Sequence, residues 1–176
     1  FEHTARYDAV IAGWLAERFD TEAFPEEGAV PLRRVQALRY GENPQQSAAF
    51  YADARPVGRS LARAVQHQGK ELSFNNLADL DAAARAVFEH PACAAVIVKH
   101  MTPCGAATAP HPTAAFERAL AGDPVSAFGG ILAFNRPIGP EEVRAIKQSK
   151  VFFEVVVAPG FLGDALERLQ SRPNLR

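Results

Sequence analysis

The chain has 176 residues, 48% of them hydrophobic and 22% charged, with 19 basic and 20 acidic side chains and a net charge of −1. That length supplies one domain with a real core, and the balanced, scattered charge argues against nucleic acid or a membrane surface as a partner. No apolar run approaches the roughly 20 residues of a membrane helix. Cys93 and Cys104 make no disulfide framework, which points to a reducing cytoplasm.

Residues 1–19 place Tyr7, Val10, Ile11, Trp14, Leu15 and Phe19 at helical spacing and read as an amphipathic helix. The chain opens at Phe1 inside this pattern and ends at Arg176 without a stop signal of its own, so it reads as a piece of a longer protein. Residues 21–31, with Pro25, Gly28 and Pro31, read as a linker. Residues 32–38 and 48–51 read as strands around a turn-rich loop at 39–44, and 62–67 as a further strand. Asn75 or Asn76 caps a helix over about 77–89, with Leu80, Ala84, Val87 and Phe88 facing inward. Residues 94–98 form an unbroken apolar strand that delivers Lys99 and His100 side by side, after which 101–105 turn the backbone away. Helices over 113–120, 140–149 and 161–170 then alternate with strands over 131–135 and 152–158. This alternation predicts an α/β fold, a mostly parallel sheet flanked by helices.

Four segments carry chemistry. The rigid end of a buried strand is where α/β proteins open onto a crevice. There Lys99 offers positive charge and His100 can move a proton near neutral pH. The bland alternative is a lysine reaching water beside a histidine satisfied by backbone. In the loop at 39–44, Arg39 can fork onto a phosphate or carboxylate and Tyr40 can stack on a flat heterocycle, or the segment is a charged turn. Residues 68–76 place polar groups before a helix start, where anions are favoured, or form a surface loop with a cap. Gly129 and Gly130 let backbone crowd a ligand or make a tight turn. Cys93, His100 and Cys104 lack the spacing of a zinc site, so no metal is expected.

Together these segments resemble the bifunctional AICAR transformylase/IMP cyclohydrolase family of purine biosynthesis. The matching words are Leu38-Arg39-Tyr40-Gly41-Glu42-Asn43-Pro44-Gln45-Gln46, Gln68-Gly69-Lys70-Glu71-Leu72-Ser73-Phe74-Asn75-Asn76, Val96-Ile97-Val98-Lys99-His100 with Pro103-Cys104-Gly105, and Asp123-Pro124-Val125-Ser126-Ala127-Phe128-Gly129-Gly130-Ile131. They occur in the family's order and cover nearly the whole chain. The resemblance implies that residues 1–31 are helix and linker from the cyclohydrolase junction. Residues 32–176 would then be the first lobe of the transformylase domain, with a cytidine-deaminase-like fold and the second lobe absent.

The resemblance also implies the reaction, transfer of a formyl group from 10-formyltetrahydrofolate, a co-substrate, to the 5-amino group of AICAR. Lys99 and His100 match the family's catalytic pair, while Arg39, Tyr40 and Asn76 match residues that contact the nucleotide. It implies a homodimer for the longer protein and no catalytic metal. The piece alone is expected to be inactive. Two departures stand out: Gln45 replaces a common histidine, so no proton role belongs there, and Met101-Thr102 replaces the commoner Ala-Asn. A noncatalytic nucleotide-binding module of the same fold, with Lys99 and His100 idle, is the alternative.

Overall fold

The computed structural model describes residues 1–19, 26–55, 58, 60–172 and 174–176, which form two units, Phe1–Val65 and Gln66–Arg176. In the first unit, helix α1 (Glu2–Arg18) is followed by strands β1 (Leu32–Leu38) and β2 (Ala48–Asp53), paired antiparallel with a bulge between Arg34 and Gln36. The helical spacing of residues 1–19 holds, but no residue of α1 is buried, and Tyr7, Trp14 and Phe19 are exposed. Gly13 leaves room for the Arg55 guanidinium, which pairs with Glu17 at 3.3 Å. Residues 21–25 of the expected linker at 21–31 lie outside the described residues, and 26–31 form neither helix nor strand. The strand expected at 62–67 is absent. Ser60 Oγ instead accepts from Ala62 N, capping a 3₁₀ turn over Leu61–Arg63.

The second unit begins with α2 (Phe74–Phe88), which starts one turn earlier than expected. Its cap is Ser73, not Asn75 or Asn76. Ser73 Oγ accepts from Asn76 N, and Asn76 Oδ1 accepts from Ser73 N in return, each at 3.2 Å. This is a capping box with Asn in the place usually held by Glu or Gln. Strand β3 (Ala94–Lys99) follows, then β4 (Thr102–Thr108), α3 (Pro112–Gly122), β5 (Gly130–Phe134), α4 (Pro140–Gln148), β6 (Phe153–Val157) and α5 (Ala165–Gln170). The last helix is shorter than the apolar pattern at 161–170 implied. Phe161 bridges to Ile138 instead, and Gly163 turns the chain with φ +57°.

The sheet runs β4-β3-β5-β6 and is mixed, which corrects the expectation of a mostly parallel one. β3 is antiparallel to both β4 and β5, and only β5 and β6 are parallel. The cause is a hairpin between β3 and β4, where a loop was expected. The crossovers through α3 and α4 do leave β4, β5 and β6 running the same way, and the hairpin threads β3 between them in the opposite sense.

Helices cover both faces of this sheet. Ala95, Ile97, Leu132 and Phe134 join Phe116, Ala119, Val143, Ile146 and Leu169 of α3, α4 and α5 in one buried cluster. Val96, Val98, Ile131 and Ala133, of opposite parity, are also buried, and α2 packs against β3, β5 and β6 through Leu80, Ala83 and Val87. Burial on both faces explains why β3 reads as a continuous apolar run. Gly105 lies within β4, not in a turn as the sequence implied, and a side chain there would run into the Ala119 carbonyl of α3.

Asn135 locks the entry to β3. Its Oδ1 accepts from Ala94 N at 2.8 Å, and its Nδ2 donates to His90 O at 2.9 Å and Ala92 O at 2.7 Å. Asn135→Ala would leave the buried Ala94 N and two part-buried carbonyls without this partner, so we expect a loss of about 2–3 kcal/mol, read as a lower urea midpoint at unchanged m-value.

Candidate active site

β3 is fully buried from Ala94 to Val98, and Lys99 at its end is half-buried. The Lys99 ammonium donates to Phe128 O at 2.8 Å, which leaves two of its three N–H groups for another acceptor. Phe128 sits in the loop at 123–130, whose shape is set by Asp123. Asp123 Oδ1 accepts from Val125 N at 3.2 Å and Ser126 N at 2.9 Å. Hydrogen bonds from the side chain and backbone of Ser126 hold its carboxyl below the usual carboxylate range. Gly129, with φ +79°, and Gly130, which lies close to Val98 O, finish the turn. The paired glycines therefore serve the backbone path here.

His100 and Met101 alone connect β3 to β4, since Lys99 pairs directly with Thr102. Their φ angles are +53° and +60°. Two-residue hairpins with both central φ positive normally use Asn and Gly, and a non-glycine residue held there costs about 1–3 kcal/mol. Among the described residues only Lys150 shares this feature outside glycine. The exposed His100 is thus presented at the tip of a strained turn, on a strand that cannot shift because both of its edges and faces are occupied. Met101 N donates to Asp79 Oδ1 of α2 at 2.7 Å, a contact the sequence did not announce.

Cys104 follows in β4. Burial pushes its thiol up, and Sγ lies 3.6 Å from Ile97 O. Burial also raises Cys93. Neither is disposed to act as a thiolate nucleophile. Among the described residues no group of three His, Cys, Asp or Glu side chains is placed to hold a metal ion.

Asn76 is buried in the first turn of α2. Besides the capping contacts, its Nδ2 donates to Glu154 Oε2 of β6 at 2.7 Å. Gln68, at the start of the polar segment at 68–76, is tied to the fold as well, its Nε2 donating to Leu175 O at 2.9 Å. Arg39 and Tyr40 belong to the first unit, whereas Asn76, Lys99 and His100 belong to the second. Arg39 is exposed, with its guanidinium carbon 5.8 Å from the centroid of the half-buried Tyr40 ring. The following loop is closed by Gly41 N donating to Gln46 O at 2.8 Å and Asn43 N to Gln46 Oε1 at 2.9 Å.

Residues 1–176 match the family described as AICARFT/IMPCHase bienzyme. The chain belongs to that family. Among relatives of the AICARFT/IMPCHase chain, the bifunctional purine biosynthesis protein PurH of Oceanobacillus iheyensis is 48% identical over 176 residues, all of this chain and 34% of the relative. The protein of that name from Bacillus subtilis is 47% identical over the same share of each chain. The one from Neisseria gonorrhoeae is 48% identical over 186 residues, again all of this chain and 35% of the relative. The chain thus spans about a third of the length of these relatives. No helix of the described residues is long and apolar enough to cross a membrane.

Proposed function

We propose that this chain supplies part of the transformylase site of a longer bifunctional purine biosynthesis protein, which moves a formyl group from 10-formyltetrahydrofolate to the 5-amino group of AICAR. The observation that carries this reading is the strained two-residue turn that presents His100 beside the anchored Lys99. Family membership over the full chain supports it. On the same grounds we read residues 32–176 as the first, cytidine-deaminase-like lobe of a transformylase domain that acts within a homodimer.

The chemistry needs these residue types. The AICAR amine is a weak nucleophile because its lone pair is delocalised into the ring, and it must lose a proton as it attacks the formyl carbon. His100 assists that proton transfer. Negative charge develops on the formyl oxygen, where the two free N–H groups of Lys99 stabilise it. The carbon–nitrogen bond to the folate then breaks, the folate nitrogen takes up a proton, and formyl-AICAR and tetrahydrofolate leave. Arg39, Tyr40 and Asn76 are the candidate nucleotide contacts, Arg39 through a guanidinium that can fork onto an anionic group.

The test is a formyl-transfer assay on the full-length protein that contains this segment. Tetrahydrofolate should appear from 10-formyltetrahydrofolate only when AICAR is present. Arg39→Ala should weaken AICAR binding about tenfold or more, the worth of a charged hydrogen bond, with a smaller change in turnover. Wild-type AICAR affinity by isothermal titration would remove Arg39 from the site, and AICAR-independent release of tetrahydrofolate would overturn the reaction.

A further inference from the structure

We propose that Asp79 is a positioning residue for His100, an inference that rests on the function just proposed and deepens it. Asp79 lies in the second turn of α2, and its neighbour Leu80 is buried against the sheet. Further along the helix Asp81 pairs with Arg85 four residues on, in the usual manner of a surface carboxylate. Asp79 has Ala83 at that spacing and reaches out of its own helix to the hairpin. Its Oδ1 accepts from Met101 N at 2.7 Å, the length of a charge-assisted bond.

This contact falls on the backbone of one of the two hairpin residues held at positive φ. A turn built from His and Met does not hold that conformation by its own preference, so the surroundings must impose it. The hairpin pairing of Lys99 with Thr102 closes the turn, and the side-chain bond within it is long, Thr102 Oγ1 to His100 O at 3.4 Å. The short side-chain clamp from outside the hairpin therefore comes from α2. That helix is itself fixed to β6 by the Asn76–Glu154 bond and to the sheet by Leu80, Ala83 and Val87. With the carboxylate removed, His100 and Met101 relax toward ordinary backbone angles and the imidazole moves. A displacement of about 1 Å at a catalytic group costs up to about a hundredfold in rate. Asp79 touches no reacting atom in this account, because it acts through the Met101 amide.

The experiment compares Asp79→Ala, Asp79→Asn, His100→Ala and the double alanine variant in the full-length protein, reading kcat, the KM for AICAR and Tm. Asp79→Ala should lower kcat about ten- to a hundredfold while the AICAR KM moves less than about threefold. Asp79→Asn keeps an acceptor oxygen and should stay within about threefold of wild type. The double variant should be no slower than His100→Ala alone, since the clamp has nothing left to position. In a Met101→Gly background, where glycine takes positive φ freely, the Asp79→Ala penalty should shrink. Wild-type kcat in Asp79→Ala beside a crippled His100→Ala would overturn the inference, as would fully additive losses or an undiminished penalty with Gly at 101. Wild-type turnover in His100→Ala would instead overturn the proposed function, and this inference with it.

Discussion

Replacing His100 with alanine in the full-length protein should lower the turnover number for formyl transfer by about 10²–10⁴-fold while AICAR affinity changes less than about threefold. The size follows from the role. A weakly basic amine must shed a proton during attack, and a positioned imidazole raises the rate by that factor. The residue's placement argues against a purely structural loss. His100 is exposed at the hairpin tip, so truncating its side chain opens no cavity in the core. Its backbone conformation should survive because Asp79 holds the next amide. Unchanged turnover in this variant would take the imidazole out of the mechanism.

Phe116→Ala should cost about 3–5 kcal/mol of folding free energy. Phe116 is 1% exposed and stands at the junction of α3 with the sheet. Its ring meets Phe153 edge-on at 6.0 Å and Phe134 at 6.5 Å, so it ties β5 and β6 to one helix. Alanine leaves a void between α3 and the sheet, whose β5 is paired along both edges, so the site collapses poorly to fill it. Urea denaturation of the chain, followed by far-UV circular dichroism, measures the loss. A shift worth less than about 1 kcal/mol would mean that the packing relaxes around the gap.

The sequence reading located most elements because their signals are local. The five apolar residues of β3 and the Pro140 start of α4 depend on nothing distant. It missed β4 because the turn that creates it uses His and Met, residues that give no hairpin signal. One missed turn then propagated into the sheet. Without the hairpin, strand and helix simply alternate, and alternation reads as parallel. The start of α2 was misplaced for a related reason. Two asparagines are conspicuous caps, whereas the working cap, Ser73, is answered by Asn76 instead of the usual glutamate. At 161–164 apolar Phe161 and Leu162 mimic a helix face, although Phe161 is engaged in a bridge to Ile138.

The candidate site was legible at Lys99 and His100 for the converse reason: a long polar side chain directly after a buried run must be paired or solvated. Its supports were not legible. Asp79 looks like any helix-surface carboxylate until the fold brings the Met101 amide to it. The Phe128 carbonyl that holds the Lys99 ammonium belongs to no motif at all.

The most direct measurement is an experimental structure of the full-length protein with AICAR bound. The 5-amino nitrogen should lie within hydrogen-bond reach of the His100 imidazole, about 2.6–3.2 Å or one water away, with the Lys99 ammonium facing the space where the formyl oxygen would lie. An amino group farther from His100 than one bridging water, with Lys99 turned from the ligand, would contradict this placement.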